Sequence, residues 1–464
     1  MFGISRPAFA LARLDAWHHG SAVNEHTGPN PPARRLAGVW LAQGYGPTNA
    51  LAYLYAAFIS IGLLAFVSFM QAWLLNVNIG LAPTLQGRAI SALNFANELV
   101  AICLVAPFGA LADKIGRRAV YSCGLLWLAV GFVLYPLART LPQLTACALF
   151  FSVGVAAIGT MLGTVLADTP REDSRGRLVG IAGFCQGLGA LAFVLILGKA
   201  PQWLIGSGLD ELSAGRITMW IAAALSAVSA LIVFAGLRRG TPSVRGPSLP
   251  LARILADGLA AARRNPRIGF AWLLQFGSFG DRVVLGTFLS LRLQQGWLER
   301  GVGMAEATAR ARVPFAVAMC TGLVTALVVG VLLDRADRLR VGVAAMALAA
   351  LAYLLCGFVG DPAQGAMLLV VAGLLGVGQI AALISAQTLL GEEAPRDVRG
   401  AVFGLAGICA SAGILFTNAA GGWLYDTVAR SGPFFLLAGV NLAIFLVGLR
   451  IVRRGRLVEP RQQE

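Results

Sequence analysis

Histidine, charge and long polar segments are all scarce in this chain. Only three histidines occur, His18, His19 and His26, and all precede the first long apolar run. No imidazole therefore lies where it would relay a proton or hold a metal within the apolar body, and any proton chemistry there falls to carboxylates. Charged residues make up 13% of the 464 residues and hydrophobic ones 57%, against roughly 45–50% apolar residues in soluble domains. That balance excludes a soluble globular protein. The seven cysteines, Cys103, Cys123, Cys147, Cys185, Cys320, Cys356 and Cys409, all fall inside apolar stretches. They show neither metal-ligand spacing nor an extracellular disulfide framework and read as small packing residues. A phosphate-cradling loop with its lysine, a deaminase signature and a zinc pattern are also missing. ATP-driven transport and enzyme chemistry have no supporting motif, and no cofactor or metal is expected.

What is present is a series of apolar runs, at about 51–76, 88–110, 119–138, 143–167, 178–198, 217–236, 268–294, 313–333, 341–359, 365–390, 400–420 and 433–449. A bilayer core needs about 20 helical residues, so the runs predict twelve membrane spans and an all-α membrane protein. The net charge of +15 is spread over short loops and forms no single patch, so nucleic acid is not a partner. With both termini in the cytoplasm, 27 of the 37 Lys and Arg residues lie inside, nine outside, and Arg282 falls within a span. That asymmetry predicts a multi-pass protein of the plasma (inner) membrane.

Between the second and third runs stand Gly109, Leu111, Asp113, Lys114, Gly116, Arg117 and Arg118. Gly109 permits close helix approach, Asp113 is a carboxylate at a helix end, Gly116 allows a tight turn, and the arginines hold the loop inside. The spacing returns 221 residues later (330 − 109) as Gly330, Leu332, Asp334, Arg335, Asp337 and Arg338, with Asp337 in place of Gly116. Arg175, Gly176, Gly180, Gly183, Cys185 and Gly189 recur 224 residues later (399 − 175) as Arg399, Gly400, Gly404, Gly407, Cys409 and Gly413. The chain is two similar halves, the internal symmetry of a transporter.

The first loop resembles the signature of the major facilitator superfamily, Gly-x-Leu-x-Asp-Arg-x-Gly-Arg-Arg between spans two and three, with Lys114 for Arg as the visible change. The resemblance implies two pseudo-symmetric six-helix halves with a central site used by alternating access. It also implies that the loop aspartates steady a state closed on the cytoplasmic side, Asp113 facing Arg399 and Asp334 facing Arg175. Drug/proton antiporters of the superfamily carry an Arg and a Gln in span four. Placing their glycine on Gly154 puts Phe150 and Val153 at those positions, and span five reads Gly187, Leu188, Gly189, Ala190 without the expected proline. Both departures weaken a multidrug-efflux reading.

The domain order is a cytoplasmic, disordered tail at 1–48, a first half at 49–236, a linker at 237–267, a second half at 268–452 and a tail at 453–464. In the linker, Leu251, Ile254, Leu255 and Leu259 share one helical face with Arg253 and Arg263 nearby. That pattern suits a helix on the inner leaflet or a solvated connection.

Charges inside spans cost several kcal/mol unless paired or wet, so each is a functional candidate. Glu98 lies 11 residues from both Gly87 and Gly109, about 16 Å along a helix and near mid-depth. Ser91, Asn94 and Glu98 share its face. In span seven Asp281 and Arg282 are adjacent, and Gln275, Ser278 and Arg282 share a face. Neighbours on a helix point about 100° apart, so one of the two charges needs a partner on another helix. Gln186 and Gln379 are further deep polar groups, each weighed against simple interhelical packing. These residues are the candidates for proton coupling or solute binding. The gating candidates are Gly109, Asp113, Gly116, Arg117, Arg118, Gly330, Asp334, Arg335, Arg338, Arg175 and Arg399. The expected function is secondary transport of a small organic solute, coupled to protons, by a monomer in the lipid bilayer. The rivals are a multidrug antiporter and a non-transporting sensor or accessory membrane protein.

Overall fold

A computed structural model describes residues 35–171, 174–240, 251–360, 364–395 and 398–458. Fifteen α-helices account for nearly all of it, because a chain this apolar satisfies its backbone only by bonding within each segment. In the first half they are α1 (Pro47–Trp73), α2 (Pro83–Ile115), α3 (Arg117–Leu134), α4 (Leu141–Asp168), α5 (Arg175–Leu197), the short α6 (Ala200–Gly206) and α7 (Glu211–Gly236). The linker helix α8 (Leu251–Arg264) follows. The second half holds α9 (Pro266–Val283), α10 (Ser290–Leu298), α11 (Met304–Arg335), α12 (Arg338–Phe358), α13 (Ala366–Glu393), α14 (Arg399–Thr427) and α15 (Gly432–Val458). A π-helical stretch, Leu74–Asn78, extends α1, and another, Val284–Leu289, joins α9 to α10 into one rod.

Helix starts follow local chemistry: Pro stands in the first turn of α1, α2, α4 and α9, and Thr140, Asp210, Asn265 and Asp337 cap α4, α7, α9 and α12 with their side chains. Eleven helices are long and apolar enough to cross a membrane. The twelfth rod, Pro266–Leu298, is less apolar because it carries Gln275, Asp281, Arg282, Gln294 and Gln295. The arrangement is the twelve-helix, two-half fold.

The duplication is visible in the packing. In the first half α1 lies on α5, α3 on α7, and α4 on both α2 and α3; in the second, α9 lies on α14, α12 on α15, and α13 on both α11 and α12. The repeated glycines explain part of this. A Cβ on Gly189 would fall 2.0 Å from the Phe58 carbonyl oxygen of α1, and one on Gly413 would fall 2.2 Å from that of Phe276 on α9. Each marks the same backbone-to-backbone crossing in its half. The halves meet where α2 crosses α14, where α5 crosses α11, and where α1 meets the α9–α10 rod.

One end of the bundle, here the proximal end, carries residue 35, the α2–α3 and α4–α5 loops and the linker. The other is the distal end. At the proximal end β1 (Arg35–Leu36) and β2 (Val39–Trp40) form an antiparallel hairpin turned by Ala37 and Gly38, both at positive φ. Val39 and Leu41 are buried with Ala50 and Leu178. The hairpin is tied to the α4–α5 loop by Ala42 N–H to Thr169 O (2.9 Å) and Arg171 N–H to Trp40 O (2.9 Å), and Arg177 donates to Gly38 O at 3.0 Å. Residues 35–46, assigned from the sequence to a disordered tail, are thus ordered, because that loop offers backbone groups that need partners. The rest of that tail, residues 1–34, lies outside the described residues.

The linker forms the helix α8, which packs on α14, Gly258 lying against Ala401 and Leu405. Leu259 is exposed, and the side chains of Leu251, Arg253, Ile254 and Leu255 lie outside the described residues.

Candidate transport site

At the distal end the halves are stitched together by hydrogen bonds. The Asp426 carboxylate of α14 accepts the backbone N–H groups of Gly87 (3.0 Å) and Arg88 (2.7 Å) on α2. One turn deeper, a Cβ on Gly422 would lie 2.1 Å from Ser91 Oγ and 3.0 Å from Gly87 O, so only glycine lets the two helices touch there. Gln295 donates to Gln86 Oε1 (2.9 Å) and Pro83 O (3.2 Å) and accepts from the Tyr425 hydroxyl (2.8 Å). Gln294 donates to Phe69 O at 3.4 Å, while Arg312 of α11 donates to Leu195 O of α5 at 2.7 Å. Gln86, Gln294, Gln295 and Tyr425 are all buried. In such a dry seam each bond is stronger than its aqueous counterpart.

At mid-depth lies the polar stripe of α2. Asn94 accepts from Gln71 of α1 (2.8 Å) and donates to Thr287 of the opposite half (3.3 Å). Asn97 accepts from Ser152 of α4 at 2.6 Å. Glu98 is half-buried, with Ser411 of α14 as its polar neighbour across the divide. Asn94 and Glu98 therefore face the opposite half, whereas Asn97 bonds within its own. Gln275 is buried with its Oε1 unpartnered, Gln379 is buried on α13, and Gln186 is half-buried on α5.

Asp281 and Arg282 part company. Asp281 is fully buried inside the second half, where its Oδ1 accepts from Asn441 of α15 (2.9 Å) and its backbone carbonyl accepts from Tyr353 of α12 (2.8 Å). Asp281 Oδ2 and Asn441 Oδ1 have no partner among the described residues. Arg282 points elsewhere, its guanidinium 4.6 Å from the centroid of the Phe279 ring.

At the proximal end the halves separate. Among the described residues, no hydrogen bond joins the helices of the two halves here. Around Gly109, Gly176, Gly180, Gly330, Gly400 and Gly404 there is open space. The gating candidates bond within their own half. Arg117, buried, grips Asp113 and also Asp168 at the end of α4 (3.2 Å). Gly116 turns the chain at φ +95°, and Arg118 stacks on Phe234. In the second copy Asp337 replaces the turn glycine and caps α12 by accepting the Leu339 N–H (3.1 Å), and Arg338 pairs with Glu392 at 2.8 Å. Arg335 ends α11. Asp168 and Glu392 are 224 residues apart (392 − 168) and were not singled out from the sequence, although the repeat offset pointed to them. The expected contact of Asp113 with Arg399 is not made, since the halves are apart there and Arg399 donates instead to Gly391 O at 2.8 Å. The side chains of Asp334 and Arg175 lie outside the described residues.

Two duplicated six-helix halves, sealed at one end, parted at the other and lined with polar groups between, define a membrane carrier open at one face. The chain belongs to the major facilitator superfamily, whose model matches residues 53–322 and 271–464. The magnetosome protein MamH of Paramagnetospirillum magneticum is 26% identical over 414 residues, covering 88% of this chain and 92% of the relative. The minor myo-inositol transporter IolF of Bacillus subtilis is 32% identical over 137 residues, 30% of this chain and 29% of the relative. The fold matches a crystal structure of the nucleoside transporter NupG with a TM-score of 0.64 at 14% identity, covering 87% of this chain and 98% of that one. The protein is thus a multi-pass membrane transporter of this superfamily.

Proposed function

We propose that the protein is a proton-coupled secondary transporter of a small organic solute, seated as a monomer in the inner membrane with both termini cytoplasmic. The observation that carries this reading is the mid-depth stripe of Asn94 and Glu98, which lies below a sealed distal seam and faces the opposite half. The proximal end is the cytoplasmic one by its excess of Lys and Arg, which makes this conformer inward-open. Reversal would break the distal bonds and close the proximal loops around Asp113. That relatives or fold neighbours are named for myo-inositol or nucleosides supports a small organic solute.

Glu98 is the proposed proton carrier. It sits between the halves beside Ser411, so its surroundings change as the halves rock, whereas Asp281 is enclosed within one half. One charge crossing 100 mV supplies about 2.3 kcal/mol, enough for roughly a fiftyfold gradient of a neutral solute. Glu98→Gln mimics the protonated acid. In proteoliposomes it is expected to abolish solute accumulation driven by a pH gradient while retaining counterflow exchange, which needs no proton release. Normal accumulation in that variant would remove Glu98 from the coupling step.

A further inference from the structure

Arg282 combines two properties rarely found together. It is exposed, yet it lies halfway along the membrane-spanning rod Pro266–Leu298. A charge exposed at that depth faces either lipid or the space between the halves. The helix that carries it is flanked by α13, α14 and α15, and a guanidinium turned to lipid would cost several kcal/mol. Among the described residues Arg282 makes no ion pair. Asp281, next to it in sequence, is turned into the second half and bonded to Asn441, and the polar neighbour of Glu98 is Ser411. The guanidinium lies instead against the face of Phe279. That leaves a cation with its planar fork of donors facing the pathway and, among the described residues, no counter-charge from the chain.

We propose that Arg282 receives the acidic group of the solute, so that the site takes organic anions, either carboxylates or phosphate esters. The guanidinium fork matches both groups bidentately. Phe279, whose ring lies 4.6 Å from the guanidinium, supplies an apolar surface for the organic remainder. The proposal rests on the transport reading above and adds the chemical class of its cargo.

The test uses the purified full-length protein with acetate, succinate, citrate, glycerol 3-phosphate and glucose 6-phosphate, against the neutral counterparts succinamide, glycerol and glucose. Thermal stabilisation is titrated for wild type, Arg282→Gln and Arg282→Lys. At least one acid should stabilise wild type where its neutral counterpart does not, and Arg282→Gln should weaken its apparent affinity roughly tenfold to a hundredfold. Arg282→Lys, which keeps the charge but loses the fork, should fall between them and carries the comparison if the Gln variant does not fold. The carboxylate and phosphate arms separate the two sources of the anion. Failure of every acid to stabilise wild type, or equal affinity for an acid in wild type and Arg282→Gln, overturns the proposal. Counterflow of the same compounds in proteoliposomes distinguishes the two readings. Exchange of a neutral solute untouched by Arg282→Gln leaves transport standing and removes the anion site. Arg282-dependent binding of an acid without exchange does the reverse.

Discussion

The two ends of the molecule hold themselves together by different means. At the distal end the bonds run between halves and use mostly backbone atoms and neutral side chains: Gly87 N, Arg88 N, Phe69 O, Leu195 O and the Gln86–Gln295–Tyr425 chain. At the proximal end the bonds run within halves and are ionic: Arg117 with Asp113 and Asp168, Arg338 with Glu392, Arg267 with Glu393 (3.0 Å). The difference suits a carrier resting in this conformer. A sealed seam needs many specific, desolvated contacts, whereas the parted end needs each half to hold its own loops in shape until they meet.

The strongest way to break that contrast is at the α2–α14 crossing. Gly422→Leu would drive a side chain into Ser91 and the Gly87 carbonyl, an overpacking that costs about 1–3 kcal/mol in a rigid core and is relieved here by parting the helices. The expected outcome is loss of transport with each half still folded. Spin labels on Ser207→Cys and Thr427→Cys, both exposed, should report a wider distal separation than in the glycine parent. An unchanged distance would mean that the crossing is not what holds the seam.

A smaller shift should follow from Asp426→Ala. It removes the acceptor of two backbone N–H groups, a loss of about 1–3 kcal/mol. Tenfold in population is about 1.4 kcal/mol, so the distally open state should rise by roughly that factor in the same spin-label experiment. Asp426→Asn, keeping one acceptor oxygen, should fall between.

How far these features were legible beforehand follows from what kind of atom does the work. The twelve spans stood out because a bilayer demands long apolar runs, and even the least apolar rod, Pro266–Leu298, kept enough of its pattern. The arginines of the proximal loops were legible because Arg117 and Arg338 recur at a fixed offset, but their partners Asp168 and Glu392 were not singled out because they end other spans, remote in sequence. The distal seam was not, because Phe69, Gly87, Arg88 and Leu195 contribute only backbone groups there, which any residue would offer. Gln294 and Gln295 sat at the margin of an apolar run and looked like its end. The hairpin at Arg35–Trp40 was hidden for another reason: its turn is Ala37–Gly38, without the Asn-Gly or Asp-Gly pair that signals such turns. Of the candidate site, the stripe of Asn94 and Glu98 was readable from helical spacing, but the opposite fates of Asp281 and Arg282 depended on Asn441 and Tyr353, remote in sequence.

The mildest test sits at the proximal end. Asp113 has 60% of its side chain exposed, and its partner Arg117 keeps Asp168 when Asp113 is gone. Asp113→Asn should therefore cost less than about 1 kcal/mol of stability, the range of exposed pairs. Its effect belongs to the other half of the cycle. In this conformer the carboxylate only braces its own half; on the proposed cycle, closure of the proximal end would bring it to the start of α14 near Arg399, which here donates to the Gly391 carbonyl. Removing its charge should leave expression and solute binding near wild type and slow net transport, because the proximally closed state loses a contact that the open state never made. Asp168→Asn is the informative contrast, since it strips the less exposed partner from a buried guanidinium and should lower thermal stability by more than Asp113→Asn does. Wild-type flux in Asp113→Asn would show that this loop sets only the shape of its own half and that the closed proximal end is held by other groups.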